Sequence, residues 1–206
     1  MPTGRSSTTP IQQDGDIDWT TRRADARHNH EQVMAAAREV FAERGIEGTI
    51  PEIAARAQVG KATVYRSYPT KEALLEAVTL DRLAWYNDRV QRSLTEPDAF
   101  EALKALLIDI TERLATDKLL IHAISSPAHN NARPSAELEQ LFDRGRDQGT
   151  IREDAVPADL HVLTAGYART LLENNVTDPR TWRRYAIFVL DALRPPVNHR
   201  RASARR

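Results

Sequence analysis

The sequence has no cysteine. That excludes disulfides and thiolate metal sites, leaves packing alone to hold the fold, and fits a reducing cytosol. No stretch approaches the roughly 18–20 apolar residues needed to cross a bilayer. The first sixteen residues, MPTGRSSTTPIQQDGD, hold no apolar run of the kind a secretory signal uses. The expectation is a cytoplasmic protein with no membrane partner. An excess of one charge is missing as well, since 29 basic and 29 acidic residues cancel. That balance argues against a chain coating nucleic acid everywhere and favours a local basic patch. Lysine is scarce, with arginine supplying most of the basic side chains, and alanine is abundant. This bias points to a GC-rich coding sequence and a bacterial source. Signatures of catalysis are absent too: there is no Gly-rich phosphate loop, no His-Glu-x-x-His and no Gly-x-Ser-x-Gly. The reading is therefore not an enzyme, with no metal site and no cofactor.

What is present is concentrated between Thr49 and Lys71. Thr49 and Glu52 form a Thr-x-x-Glu capping box, with Pro51 in the first turn, where a missing N–H costs nothing. Ile53, Ala54 and Ala57 give a short helix one apolar face. Gln58-Val59-Gly60 breaks it, and a second helix begins at Lys61. That helix is unusual for a core element. Ala62 and Val64 are its apolar residues, while Lys61, Thr63, Tyr65 and Arg66 supply donors and a flat ring. Such side chains suit phosphate oxygens and base edges in a major groove. The stretch carries four basic residues, Arg56, Lys61, Arg66 and Lys71, against the single acid Glu52.

In order and spacing, Thr49, Ile53-Ala54, Ala57-Gln58-Val59-Gly60, Thr63-Val64-Tyr65, Tyr68 and Lys71-Glu72 with Leu74-Leu75 resemble the DNA-binding helix-turn-helix of the TetR family of transcriptional regulators. Two positions depart from that pattern. Gln58 stands where the family usually has Gly, which implies positive φ at some cost. Gly60 stands where Ser or another capping residue is usual. The resemblance implies DNA-binding roles for Thr49, Lys61, Ala62, Thr63, Tyr65, Arg66, Ser67, Tyr68 and Lys71. Thr49, Thr63, Tyr65 and Lys71 are implied to hold phosphate, and Lys61, Ala62 and Arg66 to face base edges.

The expected fold is all-α: a three-helix DNA-binding head, then a helical ligand-binding and dimerisation domain, about nine helices in total. Residues 1–21 read as a disordered tail, 22–70 as the head, 71–194 as the second domain and 195–206 as a basic tail. A first helix spans Asp25 to Arg44, with Val33, Ala36, Ala37, Val40 and Phe41 as its core face. Arg22, Arg23 and Arg27 precede it; the resemblance implies an arm on the DNA, and a merely solvated tail is an equal reading. Lys71 to about Ser93 forms a long helix able to link the two domains mechanically.

Beyond it, Phe100, Leu103, Leu107, Ile110 and Leu114 make a buried seam, and Leu119 to Ile124 a short apolar segment containing His122. Residues 125–134 read as a loop. Trp85, Phe100, Leu103, Leu107, His122, Phe142 and Tyr167 are candidate lining for a small-molecule effector pocket, with simple packing the stronger reading for each. The turn Gly149-x-Ile151-Arg152-x-Asp154 resembles a stretch in the C-terminal domains of these regulators and suggests an SbtR-like ligand domain. Two last helices, Pro157 to Asn174 and Pro179 to Leu193, are implied by the resemblance to pair with a second copy. Leu160, Leu163, Leu171, Trp182, Tyr185 and Val189 are placed at that homodimer interface. The implied function is a homodimeric repressor of a palindromic double-stranded operator, released by an effector. An effector-independent autoregulator or an activator stays open. A purely architectural helical protein leaves Lys61, Thr63, Tyr65 and Arg66 with no reason to be together.

Overall fold

The computed structural model describes residues 19–125 and 135–196. The expected tails before residue 19 and after residue 196, and the expected loop over 126–134, lie outside the described residues. Within them the chain is all-helical: α1 (Trp19–Arg44), a short 3-10 turn (Gly45–Glu47), α2 (Ile50–Arg56), α3 (Lys61–Ser67), α4 (Lys71–Ser93), α5 (Ala99–Leu114), α6 (Lys118–Ser125), α7 (Ala136–Asp147), α8 (Pro157–Glu173) and α9 (Pro179–Leu193). No described helix is long and apolar enough to cross a membrane.

The first helix begins earlier than its apolar stripe suggests. No Pro or Gly lies between Trp19 and Arg44, and Ala and Arg are good helix formers, so nothing stops the helix from extending back. Thr20 and Thr21 therefore belong to a helix and not to a tail. Arg22, Arg23 and Arg27 ride on that helix and do not precede it as an arm. At its other end Gly45 takes φ +60°, the left-handed conformation that closes a helix.

Two apolar clusters organise the packing. In the first, Val33, Ala37, Val40 and Phe41 of α1 meet Ile50 and Ile53 of α2, Val64 of α3, and Leu74 and Val78 of α4. Leu119 of α6 also belongs to this head cluster, although by sequence it sits in the second domain. The larger cluster takes Val90 of α4, the inner face of α5, Leu120 and Ile124 of α6, and the buried faces of α7, α8 and α9. Thus α4 and α6 each place side chains in both.

Helix ends follow local chemistry. Asp98 accepts from the N–H groups of Phe100 and Glu101 at 2.9 and 3.0 Å, and Asp178 accepts from those of Arg180 and Thr181. After α7, Gly149 turns the chain at φ +66°, and Ile151 folds back onto the helix. A Cβ on Gly145 would run into the Ile151 side chain, and Ile151 itself is buried. Gly145→Ala should therefore destabilise the fold by about 1–3 kcal/mol through overpacking, despite alanine's better helix propensity. Adding Ile151→Ala should lessen the penalty attributable to that substitution. Urea unfolding of the four-member cycle checks this, and additive penalties would refute the contact.

Candidate nucleic-acid interface

The interface is built from a cap, a turn and one nearly unburied helix. Thr49 Oγ1 donates to the Glu52 carboxylate at 2.8 Å and accepts from the Glu52 N–H at 3.4 Å, while the Thr49 N–H donates back at 2.9 Å. These bonds, the Thr49 hydroxyl first, hold the Glu52 carboxyl below the usual glutamate range. On the other side of α2, Arg56 makes a two-pronged contact with Glu43 of α1, at 2.6 and 2.9 Å. Arg56 therefore fastens α2 to α1 and contributes little to the outward positive field. That field comes from Lys61, Arg66 and Lys71, which no described residue pairs.

The turn carries the backbone cost that its sequence implies. Gln58 takes φ +56°, and the Val59 N–H closes on the Ala54 carbonyl at 3.0 Å. Gly60 caps α3 in an extended conformation without any side-chain bond. The helix it starts buries only Val64, at 0 % exposure. At 100° per residue, Lys61, Ala62, Tyr65 and Arg66 span an arc of about 140° turned away from Val64. All four are exposed, and Thr63 and Ser67 flank them half-buried.

Tyr68 behaves differently. It is half-buried, its ring stacks on His30 of α1 at a centroid distance of 5.4 Å, and its hydroxyl lies 3.3 Å from His30 Nε2. Burial raises its phenol above the usual range. Its side chain thus closes the end of α3 against α1 instead of pointing outward, with His30 as its partner. Only an aromatic at both positions in the sequence hints at the pairing.

Six of the seven expected pocket residues lie in or against the larger apolar cluster, as packing, and His122 lies outside it. Leu103, Leu107 and Phe142 are fully buried core. Phe100 is buried beneath the Arg194 guanidinium, 3.9 Å above its ring. Trp85 lines an open, charged cleft of about 490 Å³ between α4 and α5, with Arg89, Asp109 and Arg113 among its walls. Tyr167 hydrogen-bonds Thr111 at 2.7 Å, and burial pushes its phenol up to about 12. His122 is exposed, which corrects its expected place in an apolar wall. The short helix α6 buries Leu119, Leu120, Ala123 and Ile124 on one side, and position 122 falls on the other.

The expected dimer residues also divide. Leu160, Leu171, Trp182 and Val189 are buried in the chain's own core and present almost no surface to a partner. Leu163 and Tyr185 are exposed, and beside them are Val162, Ile187 and Phe188, which the sequence reading missed. For Ile187 and Phe188 the signal is an apolar residue outside the 182-186-189-193 stripe of α9, and for Val162 one outside the 160-164-168-171 stripe of α8. Trp182, Tyr167, Tyr185 and Phe188 form an aromatic ladder from core to surface, with successive centroids 6.2, 5.9 and 6.0 Å apart.

The family profile described as bacterial regulatory proteins, tetR family, matches residues 33–78, the span between the first and last head-core residues of α1 and α4. The chain is similar to the TetR transcriptional regulator SCO0520 from Streptomyces coelicolor, with 31% identity, 81% of this chain and 98% of that one covered, and a TM-score of 0.56. It is also similar to a TetR transcription regulatory protein from Mycobacterium vanbaalenii, with 30% identity, 84% and 99% coverage and a TM-score of 0.50. SmeT, the repressor of the Stenotrophomonas maltophilia multidrug efflux pump SmeDEF, shares the fold at 23% identity, with 82% and 90% coverage and a TM-score of 0.62. No curated protein matches.

The positive φ at Gln58 generates a direct expectation. Gln58→Gly should relieve about 1 kcal/mol of left-handed strain and raise the melting temperature by about 2–4 °C. Scanning calorimetry decides it, and an unchanged or lower value would mean the turn holds Gln58 without strain.

Proposed function

This chain belongs to the tetR family of bacterial regulatory proteins, and we propose that it acts as a homodimeric cytoplasmic repressor whose two heads read a palindromic operator until a small-molecule effector releases them. Its fold is that of a DNA-binding transcriptional regulator. The observation that carries the reading is α3, which buries Val64 alone and presents Lys61, Ala62, Tyr65 and Arg66 outward. In this reading residues 22–70 read DNA and 71–194 bind ligand and dimerise, with α4 continuing from one unit into the other. Thr49, Thr63, Tyr65 and Lys71 hold phosphates and fix register; Lys61, Ala62 and Arg66 meet base edges and select sequence. Repression is the family's usual mode and is proposed on that ground.

Dimerisation is proposed through the outer faces of α8 and α9. Val162, Leu163, Tyr185, Ile187 and Phe188 are each exposed by about 40–66 % in the single chain. Large apolar side chains left exposed on neighbouring helices suit an association site. Gly166 stands on the exposed side of α8, and a Cβ there would meet no atom within 4 Å. Two heads joined this way can occupy major grooves one helical turn apart, ~34 Å. For an effector to weaken binding ~100-fold, it must favour the non-binding arrangement by ~2.7 kcal/mol.

A salt-dependent gel shift with DNA upstream of the protein's own gene tests the reading, because phosphate contacts weaken steeply with salt. Arg66→Ala should remove ~1–3 kcal/mol of preference at one operator position. Equal loss on every sequence would refute its base-reading role. Tyr65→Phe should weaken all sequences evenly, and unchanged affinity would remove the phosphate contact. Phe188→Glu should sediment as a single 23.2 kDa chain and lose operator affinity, whereas a persistent dimer would place the interface elsewhere.

A further inference from the structure

The joint between the two apolar clusters contains a buried charge pair, Arg82 and Asp117, and the half-buried Arg113 of α5 lies 3.5 Å from the same carboxylate. Arg82 of α4 is 4 % exposed and Asp117, just before α6, 2 %. Arg82 Nε lies 2.5 Å from Asp117 Oδ2, within ion-pair reach though not aligned as a hydrogen bond. Its Nη2 donates to the Arg38 backbone carbonyl of α1 at 3.2 Å, and its Nη1 to Asp81 at 3.0 Å. Asp81 in turn takes a two-pronged contact from the Arg38 side chain, at 2.9 and 3.1 Å. Asp117 Oδ1 accepts from the Leu119 N–H at 3.1 Å, so the same carboxylate starts α6 and seats the residue that enters the head core. One guanidinium thus meets α1, α4 and α6, the helices that join head to body.

Burying such a pair is a poor way to gain stability, since its desolvation offsets most of its attraction. What it supplies is direction. Apolar burial is non-directional, whereas a planar fork with fixed donors tolerates one arrangement. We infer that Arg82 and Asp117 are positioning residues that lock the angle of the DNA-reading head and thereby set its selectivity for operator half-site spacing. The inference rests on the dimeric reading above. About 16 Å of α4 separates Arg82 from the helix start at the head. A tilt of about 10° about that point displaces the head by about 3 Å, close to the ~3.4 Å rise of one base pair. A head free to tilt by that amount accepts a neighbouring spacing; a locked one does not.

The test uses the full-length protein and a palindromic duplex that the native protein recovers from randomised DNA. It also uses duplexes with one base pair added or removed between half-sites, and a single half-site. Arg82→Met with Asp117→Asn removes both charges while keeping an Asn able to cap α6. Arg82→Lys keeps the charge but not the fork, and gives a second variant if the first folds poorly. In both, half-site affinity should stay within about twofold of native, while the preference for native over shifted spacing falls at least tenfold. An unchanged spacing preference in either folded variant overturns the lock. Equal loss on all duplexes, half-site included, also overturns it and reduces the pair to a stability role. Native protein that binds the half-site as tightly as the palindrome, with no spacing preference, refutes the dimeric reading itself and the lock with it.

Discussion

Everything at the outward face of α3 depends on Val64. A seven-residue helix that must offer its outer arc to another molecule can bury little of itself, and α3 buries one side chain. Such a helix is too short to be stable alone. It is held from its two ends. Before it, the Thr49–Glu52 box and the Arg56–Glu43 fork fix α2 on α1, and the Gln58 turn sets the angle to α3. After it, the Tyr68–His30 stack ties the exit back to α1, and the Tyr68 N–H closes on the Val64 carbonyl at 2.8 Å. Removing polar groups from α3 would free its surface without loosening it. Removing Val64, or either end restraint, would do the reverse.

The same economy explains why α4 and α6 are shared. A head of three short helices has few apolar residues to bury, and it completes its core by borrowing Leu74 and Val78 from α4 and Leu119 from α6. Borrowing makes the joint stiff. A movement of either helix within the body must be felt at the floor of the head, because the borrowed side chains are fully buried there. The adjoining residues Leu119 and Leu120 face different cores, so α6 cannot rotate without disturbing both.

Much of this was legible in the sequence, for reasons that can be named. The core face of α1 and the capping box follow from spacing and local backbone chemistry, and the left-handed Gln58 follows from the resemblance, which has Gly there. What periodicity cannot specify is which neighbour a stripe faces. His122 was placed with its apolar neighbours because they adjoin it in sequence, yet on a helix it falls opposite them. Leu160, Leu171, Trp182 and Val189 were assigned to a partner, but a monomer core fills first, and only what it leaves over can serve one. The pairing of Arg56 with Glu43, across thirteen residues, was equally out of reach of a local count of charge.

That leftover surface has a consequence for how the molecule reads DNA. The aromatic ladder runs from buried Trp182 through Tyr167 and Tyr185 to exposed Phe188, so the outer face of α9 is braced by rings packed in the core. Tyr167 is itself anchored through its hydroxyl to Thr111 on α5. A surface so backed can be apolar without being loose. In a dimer built on it, the distance between heads is set by two links in series: the α8–α9 face, and the joint where α1, α4 and α6 meet. Series links add their slack, so a firm interface is wasted if the joint yields. On the proposed effector reading, a ligand lodged in the body would not need to touch DNA or the interface to act. It has only to favour a different setting of the joint, and the shared cores carry that change to α3.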